Sequence, residues 1–99
     1  MYETLGDVSL DLLRAFEAAA RHRSFTAAAM ELGTTQPAIS QQIKRLEEQL
    51  AIRLFDRIYR GIELTDAGAL LFEHVQGGLQ AINHGLSVIT QQDQHEVLQ

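Results

Sequence analysis

Ninety-nine residues carry eight Lys and Arg against thirteen Asp and Glu, a formal net charge of −5, and no cysteine. That length fits one domain with a modest core, and the composition excludes disulfide frameworks, thiolate nucleophiles and thiolate zinc sites. No apolar run reaches the roughly 18 residues needed to span a bilayer.

The amino-terminal stretch lacks a basic region ahead of an apolar one and does not read as a signal peptide. With no cysteine to protect, a soluble cytoplasmic domain is the expectation. The charge is unevenly spread. Residues 21–60 hold seven basic side chains (Arg21, Arg23, Lys44, Arg45, Arg53, Arg57, Arg60) against four acids, while the rest hold Arg14 against nine acids. Exposed charges beyond about 8–10 Å are screened, so a polyanion meeting the middle of the chain experiences its positive excess. A solvated mixed face is the plainer reading of that excess.

In chain order, 9–21 has Leu12, Leu13, Phe16, Ala19 and Ala20 at helical spacing, with Ser9 as N-cap and Asp11 where the helix dipole favours an anion. "RHRS" then breaks the pattern. A second, two-turn helix is expected over 27–32, capped by Thr26, with Phe25 stapled onto Met30 and Gly33 closing the end. The third helix starts at Gln36 behind Thr35, which places Pro37 in the first turn, where its missing N–H costs little. Ile39, Ile43, Leu46 and Leu50 form one buried stripe within about 60° of arc.

After Ala51 the period shortens. "IRLFDR" and "GIELT", separated by "IYRG", predict two short strands and a turn. Thr65 and Asp66 open a long helix over 66–91, about 39 Å in length. Along it Leu71, Val75, Leu79, Ile82, Leu86 and Ile89 make a near-heptad seam for dimerisation, or a face that packs only on its own domain. Gly77, Gly78 and Gly85 each weaken that helix by roughly 1 kcal/mol, which something outside the segment must offset. The polar stretch 92–99 reads as a frayed end or linker.

A two-turn helix, a four-residue break containing glycine and a further helix make a helix-turn-helix, whose second helix lies in the DNA major groove. On the third helix Pro37, Ser40, Gln41, Lys44 and Glu48 project away from the stripe, and Gln36 sits at the tip. A Gln amide matches the donor and acceptor of adenine, Ser can bond bases or phosphate, and Lys44 lies one turn on, toward a phosphate rail. Arg57 and Arg60 flank the hairpin turn and can reach backbone phosphates or a narrow minor groove. Arg57 could equally pair with Asp56 or Glu63.

"SFTAAAMELGTTQPAISQQIKRLEEQLAIRLFDRIYRGIELTDAG" resembles the amino-terminal winged helix-turn-helix of LysR-type transcriptional regulators. The likeness spans 9–89 and rests on the combined pattern SFT–A–A, TQPAIS, I–LE–L, LF–R and LT–AG. It implies a mostly α fold: a winged helix-turn-helix over 1–65 with a two-stranded wing, a long carboxy-terminal dimerisation helix over 66–91, and the start of a hinge over 92–99. It also implies a bacterial regulator that binds duplex DNA at inverted repeats as a homodimer, assembling further into tetramers, with a small-molecule effector bound by a further, carboxy-terminal domain. The chain is then expected to be a fragment or truncation. By motif, Gln36, Pro37 and Ser40 match positions near base edges and phosphate, Thr35 and Thr65 match helix starts near the backbone, and Arg60 matches the wing arginine. Two positions depart from the pattern: Gln41 stands where Arg is frequent, and Ala51 where glycine is usual.

Catalysis finds no support in the residues. His22, His74, His84 and His95 have no paired ligand spacing, so no metal is expected, and neither a nucleophile elbow nor a phosphate-cradling glycine loop occurs. No cofactor is implied. A pure protein-interaction module is the remaining alternative; it leaves unexplained why Gln36, Ser40 and Lys44 stand beside Arg57 and Arg60.

Overall fold

Three short helices and a hairpin precede one long helix in the computed structural model, which describes residues 6–98 and side chains through residue 91. The order is α1 (Leu10–His22), α2 (Phe25–Leu32), α3 (Gln36–Leu50), β1 (Phe55–Ile58), β2 (Gly61–Leu64) and α4 (Asp66–Leu98). This is the mostly helical winged helix-turn-helix that the spacing predicts.

Each of the first three helices starts on a hydroxyl. The Oγ of Ser9 accepts from the Leu12 N–H at 3.2 Å, and Thr35 Oγ1 accepts from Ala38 at 3.3 Å. For α2 the expected cap moves. Ser24, not Thr26, holds the extended backbone and accepts from Ala27 at 3.0 Å, so Phe25 and Thr26 lie inside the first turn. The earlier start turns the Phe25 ring onto Phe55, edge to face at 5.6 Å. The staple onto Met30 does not form, because Met30 is 79% exposed.

All three helices end on a left-handed residue: Arg23 (φ 54°), Gly33 (φ 68°) and Ala51 (φ 56°). In each the next residue's N–H returns to a carbonyl five positions back: Ser24 to Ala19, Thr34 to Ala29 and Ile52 to Glu47. Orphan carbonyls are satisfied this way, and the chain reverses sharply into the next element. Gly33 is the only one of the three that takes this conformation without strain.

The core lies where α1, α2 and α3 meet, with Phe16, Ile39, Leu46 and Leu54 fully buried. Ala15, Ala18, Ala19 and Ala28 are also buried. Their small side chains let the helices approach closely around Phe16. Phe55 brings the hairpin onto this core, its ring 5.5 Å from that of Phe16.

The strands pair antiparallel with Phe55 opposite Leu64 and Ile58 opposite Gly61, leaving Tyr59 and Arg60 as the turn. β1 begins later than "IRLFDR" predicts, because the residues before it are tied elsewhere. One carboxylate oxygen of Glu47, on α3, accepts from the N–H groups of Leu54 (2.7 Å) and Phe55 (3.2 Å). The Thr65 hydroxyl donates to the Arg53 carbonyl at 2.7 Å.

α4 continues to Leu98, past its expected end at Gln91, so the polar stretch read as a frayed end or linker is helical that far. Gln99, and the side chains after residue 91 including His95, lie outside the described residues. No helix among the described residues is long and apolar enough to cross a membrane.

Candidate nucleic-acid interface

α3 is anchored on one side and open on the other. Ile39, Ile43 and Leu46 are buried, whereas Thr35, Gln36, Pro37, Gln41 and Lys44 are exposed. Ser40 is half-buried at the edge of this face. Pro37 occupies the first turn, with no intrahelical hydrogen bond to lose. The exposed amino-terminal turns therefore present two uncharged amides, with Lys44 one turn on from Ser40 as the first cation.

The hairpin supplies the next cations. Arg57, on β1, and Arg60, in the turn, are both exposed. Neither pairs with a carboxylate among the described residues. The Arg57–Asp56 pairing considered from the sequence is replaced: Asp56 takes the Arg53 guanidinium at 2.8 Å. In the ladder Arg57 stands opposite Ile62 while Asp56 stands opposite Glu63, which separates Arg57 from both acids by the alternation of the strand. Arg60 holds φ 65° and stacks 5.1 Å from the Tyr59 ring centroid, an arrangement that extends both side chains at the hairpin tip.

The acid of α2 is neutralised by two basic side chains from the end of α1. Glu31, on α2, receives both terminal nitrogens of Arg21 at 2.9 and 2.6 Å, and its Oε1 lies 2.6 Å from the His22 Nε2. Arg21 also binds Glu17 through its Nε at 2.7 Å. Hydrogen bonds from Arg21, then His22, lower the Glu31 pKa to about 2, and those to Glu17 and Glu31 raise that of Arg21. One arginine thus joins α1 to α2 and is spent inside the domain.

Thr65 sits differently from the other site residues. Its hydroxyl donates to Arg53 and accepts from the Gly68 N–H at 3.0 Å, so it caps α4 and ties it to the segment before β1. Its side chain is committed to the fold.

The seam of α4 divides in two. Val75 is buried in the domain's own core, with Leu71 and Leu79 partly buried against it. Farther along, Ile82, Leu86 and Ile89 are 52%, 59% and 57% exposed. An apolar groove of about 480 Å³ opens between α1, α3 and α4, with Leu13, Leu50, Val75, Gly78 and Ile82 among its walls. Reading the six seam residues as one surface missed this division, because spacing along one helix cannot show where a neighbouring helix stops.

Two residues of this region are not singled out by the sequence. Glu47 clamps the wing to α3 from within an ordinary run of charged residues. Arg23 lies at the α1–α2 junction inside "RHRS", a segment that reads only as a break in periodicity; the available signal was its basic character just ahead of a capping serine.

Three stacked helices, an exposed polar helix tip and a cationic hairpin define a winged helix-turn-helix domain. The chain belongs to the lysR family of bacterial regulatory helix-turn-helix proteins, whose family model matches residues 10–69. It is 48% identical over 89 residues to the HTH-type transcriptional activator AmpR of Providencia stuartii, covering 90% of this chain and 30% of that protein. It is 46% identical over 86 residues to the HTH-type transcriptional regulator PerR of Escherichia coli K12, covering 87% of this chain and 29% of PerR. The chain therefore spans about a third of the length of these relatives. Among solved structures it resembles the BenM DNA-binding domain in complex with benA site 1 DNA, with a TM-score of 0.78 and 33% identity over 85% of this chain and 94% of that one. The CbnR DNA-binding domain in complex with DNA gives 0.73 and 34%, covering 81% and 92%.

Proposed function

We propose that this chain is the sequence-specific DNA-binding part of a transcriptional regulator, acting on an inverted-repeat site as a homodimer. α3 enters the major groove amino end first, and the wing lies on the backbone or in the adjacent minor groove. The observation that carries this reading is the division of α3, buried along Ile39, Ile43 and Leu46 and open along Gln36, Pro37, Gln41 and Lys44. Gln36 and Gln41 offer donor and acceptor pairs to base edges, Ser40 and Thr35 lie beside phosphate, and Lys44, Arg57 and Arg60 neutralise the backbone. The BenM and CbnR DNA-binding domains, which this fold resembles, have been solved as DNA complexes, which supports duplex DNA as the partner.

The homodimer is supported by the exposed Ile82, Leu86 and Ile89 and by the apolar groove they continue. A β-carbon on Gly77, Gly78 or Gly85 would meet nothing within 4 Å in the single chain. Their helix-weakening effect has no compensation inside the domain, and close approach by a second α4 supplies one. Tetramers and effector response belong, on this reading, to the whole regulator.

Selection of bound duplexes from a random pool, repeated at two salt concentrations, tests the proposal. Recovery of two inverted half-sites separated by about one helical turn supports it. Recovery of no preferred sequence, with binding that vanishes uniformly as salt rises, overturns it.

A further inference from the structure

Between the amino end of α2 and the hairpin lies a hollow of about 360 Å³, lined by Arg23, Ser24, Thr26, Arg57 and Arg60 and by no carboxylate. Three elements build it. Arg23 ends α1 in the left-handed conformation, Ser24 caps α2, and the two wing arginines approach from the hairpin. The backbone fixes the arrangement: the Arg23 carbonyl oxygen is 3.6 Å from where a β-carbon on Gly61 would stand. Its side chain is exposed and pairs with no acid among the described residues, whereas Arg21 two positions earlier is taken by Glu17 and Glu31.

We propose that this hollow is a phosphate subsite in which Arg23, with Arg57 and Arg60, grips one phosphate of the duplex backbone. The inference rests on the DNA-binding reading above and adds a residue and a site to it. Guanidinium groups bind phosphate oxygens through paired N–H donors, and the first turn of α2 adds its dipole and the Thr26 hydroxyl. Because the cations come from α1 and the hairpin, one phosphate bridges the two and sets the angle at which the wing meets DNA. The same chemistry would accept free inorganic phosphate, and the two sources separate experimentally.

The test measures duplex affinity by fluorescence anisotropy from about 50 to 200 mM salt, on a selected site and on a scrambled duplex. Wild type, Arg23→Gln, Arg60→Gln and the double variant are compared, each checked for an unchanged melting curve. Arg23→Gln is expected to weaken both duplexes roughly three- to tenfold and to lower the salt slope by about 0.9, one phosphate's worth. The double variant is expected to lose less than the product of the two single losses, because both arginines hold the same phosphate. An unchanged slope overturns the proposal, and so do losses that multiply, which would put Arg23 on a separate phosphate. A lowered melting temperature for Arg23→Gln would assign the side chain to the fold, on the neighbouring side where Glu63 lies, and also overturns it. Saturable shifts of the Ser24 and Thr26 amides with inorganic phosphate, alongside an unchanged duplex slope, would make the hollow a free-anion site instead. Failure of the wild type to bind any duplex would sink the underlying reading, which is a distinct outcome.

Discussion

Ala51 and Glu31 show how single residues hold elements at their angles. Ala51 carries φ 56° at the end of α3, with its N–H on Glu48 and that of Ile52 on Glu47. A β-carbon in the left-handed region costs roughly 1–2 kcal/mol, and glycine removes that cost while giving back part in chain entropy. Ala51→Gly is expected to raise stability by about 1 kcal/mol, moving a thermal melt up by roughly 4 °C or more. A lower melting temperature would show that the alanine methyl makes a contact worth more than the strain. Glu31 gives a pH signature. Its folded pKa lies below the ordinary carboxylate value, so its contribution is complete above about 4.5 and is lost as pH falls toward 2. Because Arg21 and Glu31 are each more than a third exposed, solvent screening keeps the contribution small. Acid titration followed by NMR should loosen the α1–α2 contact within that window, and Glu31→Gln should abolish the change there. Loosening that persists in Glu31→Gln would move its origin to another carboxylate.

Elements meet where backbone comes close to backbone. Gly68, in the first turn of α4, is buried, and a β-carbon there would overlap the Leu54 carbonyl oxygen and press on Leu64. The carbonyl cannot give way, because Leu54 also receives the Thr65 N–H at 3.0 Å and donates to Glu47. Gly68→Ala should therefore cost about 1–3 kcal/mol or more, read from urea unfolding; a neutral effect would show that α4 can slide. The sequence disclosed the helices well, because caps and apolar spacing are local. Ser9, Thr35, Pro37 and Gly33 behave as their chemistry dictates. It disclosed less where two local solutions compete. Ser24 and Thr26 are both competent caps, and the choice was settled by Phe25 finding Phe55, thirty residues away. The start of β1 was settled similarly, by Glu47 and Thr65 engaging residues that otherwise read as strand. On the candidate interface, Gln36, Pro37, Gln41 and Lys44 were legible as an exposed face, whereas Arg23 was not, since the other two arginines of the hollow come from the hairpin.

For the whole molecule, the proposed homodimer turns on which surface would join two copies. The first half of the α4 seam stabilises the domain itself, so a charge at Val75 would unfold it and say nothing of assembly. Ile82, Leu86 and Ile89 give the cleaner test, because each is already more than half exposed in the single chain. Leu86→Glu is expected to leave the domain folded, with an unchanged helical circular dichroism signal below the melt, while shifting sedimentation from dimer to monomer and lowering affinity for a two-half-site duplex. A dimer that survives Leu86→Glu and Ile82→Glu together would place the interface elsewhere. The proposed role of the exposed tip of α3, reading bases, is tested most directly by comparing wild type and Gln36→Ala on every single-base variant of the selected half-site. Gln36→Ala should lose about 1–3 kcal/mol on the preferred sequence and become indifferent at one base pair, with discrimination elsewhere preserved. An equal loss on every sequence would contradict the claim and leave Gln36 a backbone contact.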